Sequence, residues 1–396
     1  MLLVLVTMIF FLFYAGINQT VESPESAASV CSFSVFRQTA NYSSSGYLRG
    51  DGTWRRNSKG QPSRFYPALC NLVYGVNIPS EMVTTCLLRQ NVRYIAVLGD
   101  SNGLRYFSAL HWHLSQTRGV DCTPIARSSV INWAGEGDTS YVVHRCQCGP
   151  TVSGQCVIHF VEQLQHSFAH TRCRVKNSKT GSSLSVAIEF VTVIHTIDWT
   201  NMTRLAGCQR GSQEPVIPTT SDTFHRFLLA EFFADPVPDL FIVFGNAHDR
   251  MPLRQLSSDI DAFAEMIDRY IRAPTRLIFL SKFAEDVTRK PKYWRELRYE
   301  YGTMTRLEWL DAANRIMYKK MRRRFLDTGR LLLFPDLLQM SQPVLADFNV
   351  DGVHMKREWY RHVMSYILQT LCTAAYSRPK VEAPSKVQND RKITKI

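Results

Sequence analysis

The chain lacks two patterns that its composition invites. Ten cysteines are present, but Cys146-x-Cys148 has no matching second pair and no zinc-ligand spacing occurs elsewhere, so no structural metal site is expected. The net charge is +13, yet no nucleic-acid-binding motif and no basic stripe interleaved with aromatics accompanies it, which argues against a nucleic-acid partner. The excess gathers instead at Lys319, Lys320, Arg322, Arg323 and Arg324 and in the tail after Tyr376. On a helix such a cluster reads first as a solvated face, and next as a surface for anionic glycans or a membrane.

Charge is also missing from Leu2 to Ile17, and neither flank of that run carries the Lys or Arg that would set its orientation. Residues 1–17 therefore read as a secretory-pathway targeting segment, either a cleaved signal peptide or a signal anchor. The run is a little long for the first and shorter than the roughly 20 residues of a comfortable span. The second alternative would make this a single-pass membrane protein.

What is present points the same way. An even number of cysteines (Cys31, Cys70, Cys86, Cys122, Cys146, Cys148, Cys156, Cys173, Cys208 and Cys372) in an exported chain favours disulfides. Sequons at Asn41 and Asn201 are compatible with glycosylation, and a third at Asn18 lies too close to the apolar run to carry weight. With 396 residues, 45% of them apolar, the chain can bury one large α/β core or two smaller ones.

Residues 18–30, rich in Ser, Ala and Glu, read as a stem. Residues 31–90 are loop-rich and cysteine-containing, a tied N-terminal lobe without a core of its own. From 91 to 372 strands and helices alternate, which predicts a mainly parallel sheet covered on both faces. Strands are expected at about 93–98, 239–244, 276–280 and 330–334, with helices near 104–115, 256–272 and 306–326 and a last one after His354 carrying Trp359, Val363, Ile367 and Leu371 on one face. Residues 138–235 hold five of the cysteines and one expected strand at 185–194. They read as a large disulfide-linked insertion over the catalytic edge, a place for specificity contacts. Residues 373–396, polar and basic from Ser377 onward, read as a disordered tail.

Four blocks carry chemistry. An apolar strand ends in Val97-Leu98-Gly99-Asp100-Ser101, and a strand that turns sharply after Gly-Asp leaves the serine hydroxyl at the sheet's carboxyl edge, where open α/β sheets bind ligands. Far downstream stands Asp351-Gly352-Val353-His354, which can supply the imidazole base and the carboxylate that orients it. Gly-Asp-Ser alone is a common turn, and a lone histidine ahead of a helix is commonly a cap. Together they fall after the first and last strands, on one edge. Between them, Asn132 to Asp138 contains Gly135 and Gly137, whose N–H groups could approach an oxyanion closely, and Gly245-Asn246-Ala247-His248-Asp249 could add the Asn246 amide. Each of these two segments also reads as an ordinary turn.

These blocks, in this order, resemble those of SGNH hydrolases. Gly52-Thr53-Trp54, Pro67-x-x-Cys70 and Cys86-Leu87-Leu88 ahead of Gly99-Asp100-Ser101 look more narrowly like the PC-esterase branch, which includes neurexophilin-and-PC-esterase and trichome-birefringence-like proteins. The resemblance extends from about Gly52 to Leu371 and includes the aromatic Tyr360 at the start of the closing helix. It implies a flavodoxin-like three-layer α/β/α sandwich and a Golgi or secreted enzyme acting on O-acetyl groups of a glycan partner.

Carried over by position, Ser101 is the nucleophile, His354 the base and Asp351 its orienter, with Ser101, Gly135, Gly137 and Asn246 as oxyanion donors and Asp100, Arg105 and His248 as supporting candidates. No bound cofactor is implied; acetyl-CoA is a candidate acyl donor for a transferase. Two departures stand out: the Arg that follows Gly-Asp-Ser in the branch comes one position late, at Arg105, and Gly-Asn-Ala-His replaces the usual Gly-x-Asn-Asp. A carbohydrate O-acetyltransferase or O-acetylesterase is the leading expectation. A catalytically silent glycan-binding protein and a lipid esterase are its rivals.

Overall fold

The computed structural model describes residues 52–67, 70, 72–127, 139–143, 155–160, 168–177, 180–193, 195–199, 206–209, 217–218, 221–234, 236–245, 248–249, 251–290, 304–333 and 335–376. The targeting segment, the stem, residues 377–396, Cys31, Cys146, Cys148 and both sequon asparagines, Asn41 and Asn201, lie outside them. No helix among the described residues is long and apolar enough to cross a membrane.

The architecture is α/β. Its main sheet has seven strands in the order β13-β12-β11-β3-β8-β7-β4, formed by β3 (Tyr94–Gly99), β4 (Val120–Arg127), β7 (Phe168–Lys176), β8 (Ser183–Thr192), β11 (Leu240–Phe244), β12 (Arg276–Leu280) and β13 (Leu331–Leu333). All neighbours pair in parallel except at β7, which is antiparallel to both β8 and β4. The sequence explains the centre of the sheet. Every residue of β3 (YIAVLG) and β11 (LFIVF) is buried, as parallel strands covered on both faces require.

Besides the short α3 (Phe224–Phe227), α6 (Leu337–Ser341) and α7 (Leu345–Phe348), the helices form two groups. α1 (Ser80–Arg89) and α2 (Ser101–Ser115) pack against the closing helix α8 (Arg357–Tyr376), whereas α4 (Leu253–Tyr270) packs against α5 (Arg306–Phe325). The arrangement is compatible with a three-layer sandwich. Trp359, Val363, Ile367 and Leu371 all lie in the core, so the apolar stripe expected on the last helix faces inward. That helix continues to Tyr376, four residues into the segment expected to be disordered. The basic run on α5 is partly neutralised, with Lys320 paired to Asp261 and Arg324 to Asp268 on α4.

Two expectations need correction. The span 138–235 is not one continuous insertion, because β7 and β8 within it belong to the main sheet and β8 pairs directly with β3. The strand itself was expected, but a charge in its middle hid its place in the main sheet: Glu189 is buried, accepts from the Tyr94 hydroxyl at 2.5 Å and lies 3.5 Å from His170. What does stand apart is a four-stranded antiparallel sheet, β10-β9-β6-β5, made from β5 (Thr139–Val143), β6 (Gln155–Phe160), β9 (Ala206–Gln209) and β10 (Ile217–Pro218).

The N-terminal lobe, in turn, is more regular than its composition suggests. It contains a hairpin of β1 (Gly52–Arg56) and β2 (Pro62–Pro67), followed by α1. Disulfides join Cys86 on α1 to Cys372 on α8 and Cys122 on β4 to Cys173 on β7. Cross-links of this kind are typically worth about 2–4 kcal/mol.

The lobe wraps α8. The Trp54 indole donates to the Met340 carbonyl at 2.9 Å and packs against Phe65, Phe348 and Trp359. Gln369 exchanges hydrogen bonds with both backbone groups of Tyr74. Where α2 meets α8, His113 is buried and its Nε2–H donates to the Arg361 carbonyl at 2.8 Å. Burial, aided by the Arg361 guanidinium and opposed by that hydrogen bond, brings its pKa down from 6.5 to about 4.

The unfolded chain therefore binds more protons than the folded one between those values, and stability falls as pH drops through that window. We predict that His113→Gln flattens the dependence of unfolding free energy on pH between 6.5 and 4 by about 3 kcal/mol relative to wild type. Urea denaturation across that range reads it; an unchanged slope would contradict the burial argument.

Candidate active site

The strand order reverses around β3: the chain runs from β3 outward to β4, returns through β7 and β8, then crosses to β11 and continues to β12 and β13. Ligands bind open α/β sheets at the carboxyl edge of such a reversal. Ser101 stands there. Only Asp100 separates the end of β3 from the first residue of α2, so the expected start of that helix near 104 moves back to the serine itself.

Local chemistry explains the tight turn. The buried Asp100 carboxylate caps α2 by accepting from the Asn102 N–H at 2.8 Å, the usual work of an aspartate at this position. Its supporting role is structural. Gly103 lets the helix lie close to the sheet, since a Cβ there would sit 3.2 Å from the Phe190 ring. The Ser101 N–H, in the first turn, has no intrahelical acceptor by geometry, which suits it to an oxyanion.

The hydroxyl meets its expected partner. Ser101 Oγ lies 2.8 Å from His354 Nε2, and His354 Nδ1 lies 2.7 Å from Asp351 Oδ2. A carboxylate can only accept, so Nδ1 carries the proton and Nε2 is left to receive one from serine. The other oxygen, Oδ1, accepts from the N–H groups of Val353 and His354 at 3.0 and 2.8 Å. Burial raises the Asp351 pKa, but the hydrogen bonds from the His354 ring and from these two N–H groups outweigh it and hold the carboxyl below its ordinary range.

The loop that bears this pair is itself braced. Gly352 has φ +92°, and a Cβ there would come within 2.5 Å of the Asp286 carbonyl; only glycine fits. Its N–H donates to Asn349 Oδ1 at 2.7 Å, and its carbonyl accepts from the Asp286 N–H at 3.0 Å. Behind the loop, Arg289 donates to the Asn349 carbonyl at 3.0 Å. The Tyr360 hydroxyl accepts from the Met355 N–H at 3.1 Å and donates to Asn102 Oδ1 at 2.6 Å. One phenol thus ties the residue after His354 to the residue after Ser101.

On the same edge, a buried ion pair staples three strand ends. Lys282, after β12, lies 2.8 Å from Asp249, after β11, and Asp249 also accepts from the Thr196 N–H and hydroxyl, after β8, at 2.9 and 2.5 Å. Burial pushes the Asp249 carboxyl up, yet the neighbouring Lys282 ammonium and hydrogen bonds from His195, Lys282 and Thr196 hold it well below its ordinary value.

Of the other expected residues, Arg105 lines a cavity of about 610 Å³ that also touches Ser101 and Tyr360. His248 lies in the turn after β11. Gly135, Gly137 and Asn246 lie outside the described residues. Among the described residues no group of three or more His, Cys, Asp or Glu side chains converges as metal ligands do. Tyr360's hydroxyl, Asn349 and the Lys282–Asp249 pair escaped sequence reasoning, because each acts through a partner distant in the chain. Trp54 and Cys70, quoted for the resemblance, serve packing and cross-linking rather than the site. No protein-family model, curated protein or solved structure matches this chain.

Lys282→Met should remove the ammonium that faces the buried Asp249 carboxylate. The expected loss of unfolding free energy is about 3–5 kcal/mol, read by chemical denaturation; a loss under about 1 kcal/mol would mean that the pair behaves like a surface contact.

Proposed function

We propose that this chain is a serine acyl-enzyme of the SGNH type, resembling the PC-esterase branch, that adds or removes O-acetyl groups on glycans in the secretory pathway. The observation that carries the reading is the unbroken chain Ser101–His354–Asp351, with contacts of 2.8 and 2.7 Å. Hydrogen-bond reach between nucleophile and base, with the base oriented by a third group, is the geometry that activates a serine. Disulfides at Cys86–Cys372 and Cys122–Cys173 support an oxidising compartment.

The chemistry follows from the proton inventory. Ser101 Oγ attacks the acyl carbonyl as its proton passes to His354 Nε2, and Asp351 steadies the imidazolium through Nδ1–H. The tetrahedral oxyanion is met by the Ser101 N–H and, by position, the backbone of Gly135 or Gly137 and the Asn246 amide. Collapse breaks the bond to the leaving group, which takes the proton from Nε2 and leaves acyl-Ser101. An incoming hydroxyl then gives its proton to His354 and attacks the acyl carbon, releasing Ser101. Water as the acceptor makes an esterase; a sugar hydroxyl makes a transferase, for which acetyl-CoA would be a suitable donor.

The intact triad geometry favours this reading over a silent glycan-binding protein.

A serine-directed fluorophosphonate tests the reading. Wild type should be labelled, Ser101→Ala not at all, and Asp351→Asn at a rate lower by up to about 10⁴-fold. Absent labelling of wild type, or equal labelling of Ser101→Ala, would sink the enzyme assignment.

A further inference from the structure

The cavity at Ser101 is a groove between α2 and α8, and its chemistry is uneven. Ser101, Arg105, Ser108 and Trp112 line one side at helical spacing, while Arg357 and Arg361 enter from the first turns of α8. Among the described residues no Asp or Glu lines it. A rise of 1.5 Å per residue puts Arg105 roughly 6 Å and Trp112 roughly 16 Å along the helix axis from the serine. The volume, about 610 Å³, falls in the range of small-ligand sites, about 300–1,000 Å³.

Several arginines elsewhere on this protein find carboxylates, although Arg64 and Arg269 stack on tyrosine rings instead. Arg56 pairs with Asp347, Arg226 with Asp222, Arg315 with Asp311 and Arg306 with Glu285. Among the described residues none of Arg105, Arg357 and Arg361 forms an ion pair, and the contacts of two of them are with ring faces. The Arg361 guanidinium lies 4.1 Å from the Trp112 ring centroid and that of Arg105 lies 6.0 Å from Tyr360. Stacking of this kind orients a guanidinium while leaving its edge N–H groups free to donate in pairs to a planar or tetrahedral oxyanion. Three positive charges that meet no carboxylate among the described residues make this end of the groove a place where a negative charge is attracted.

We propose that the α2–α8 groove is an anion subsite, in which Arg105, Arg357 and Arg361 receive a carboxylate or phosphate borne by the substrate of Ser101. This assignment rests on Ser101 being the reacting residue only for the word substrate; the anion preference itself is a binding property. Two sources can supply the anion: an acidic sugar in the acceptor glycan, or the phosphates of an acyl donor. Both would place charge in the groove while the transferred acyl group meets Ser101. Arg357 and Arg361, one helical turn apart on α8, are then specificity-determining residues rather than catalytic ones.

Isothermal titration of the full chain at low salt, with two matched pairs of probes, tests this. One pair is an oligogalacturonide and its fully methyl-esterified, uncharged counterpart; the other is coenzyme A and pantetheine. The charged member of at least one pair should bind about tenfold tighter or more, and Arg357→Gln/Arg361→Gln should abolish that preference while its thermal midpoint shows it folded. Preference within the first pair places the anion on the acceptor, and within the second on the donor. Equal binding within both pairs, binding by none of the four probes, or an undiminished preference in the double variant would overturn the proposal. Titration reads binding whether or not Ser101 reacts, so a failure of the acyl-enzyme reading and a failure of this one remain distinct.

Discussion

A 2.8 Å hydrogen bond between two side chains 253 residues apart in sequence is the constraint around which the rest of this molecule is arranged. Neither partner can be moved by much. On the proposed reading, displacement of a reacting group by about 1 Å can cost on the order of 10²-fold in rate, so α2 and the loop ahead of α8 must share one rigid frame. The Tyr360 hydroxyl supplies the most direct brace, because it bonds to both sides of the gap at once. Asp286, behind Gly352, and Asp100, under the first turn of α2, hold the two ends in place.

The outer layers extend that frame. The N-terminal hairpin and α1 do not build a core of their own but close over α8, through Trp54, the Tyr74–Gln369 exchange and the Cys86–Cys372 cross-link. On the sheet's carboxyl edge, the Lys282–Asp249 pair joins the loops after β8, β11 and β12 around the end of β3. A buried pair of this sort adds little net stability against an apolar substitute. Its value here is positional, since it gathers polar backbone that would otherwise be free to move beside Ser101.

Much of this was legible from residues alone, for identifiable reasons. β3 and β11 are uninterrupted apolar runs, and β12 is one after Arg276, because both faces are covered, and the placement of Ser101 and His354 on one edge follows from parallel strands all ending there. β8 was half-legible: its apolar run stands out, but Glu189 and the neighbouring cysteines made it look peripheral, and only Tyr94 and His170 explain a buried carboxylate. α1 hid in a loop-rich, proline-containing stretch because its apolar face has meaning only against α8. Tyr360 could be read as an aromatic but not as a bridge. Arg357 and Arg361 carried a signal that spacing could have exposed, two arginines four apart on the helix that follows the histidine.

The central claim is that an acyl group resides on Ser101 between donor and acceptor. Rapid mixing of the protein with an activated acetyl ester, acid quenching and peptide mass spectrometry measure this directly. The account predicts that one acetyl group appears on the peptide containing Ser101, rises and decays as the ester turns over, and is missing in Ser101→Ala. Turnover of the ester with no acetyl on that peptide, or with acetyl accumulating on another residue, would contradict it.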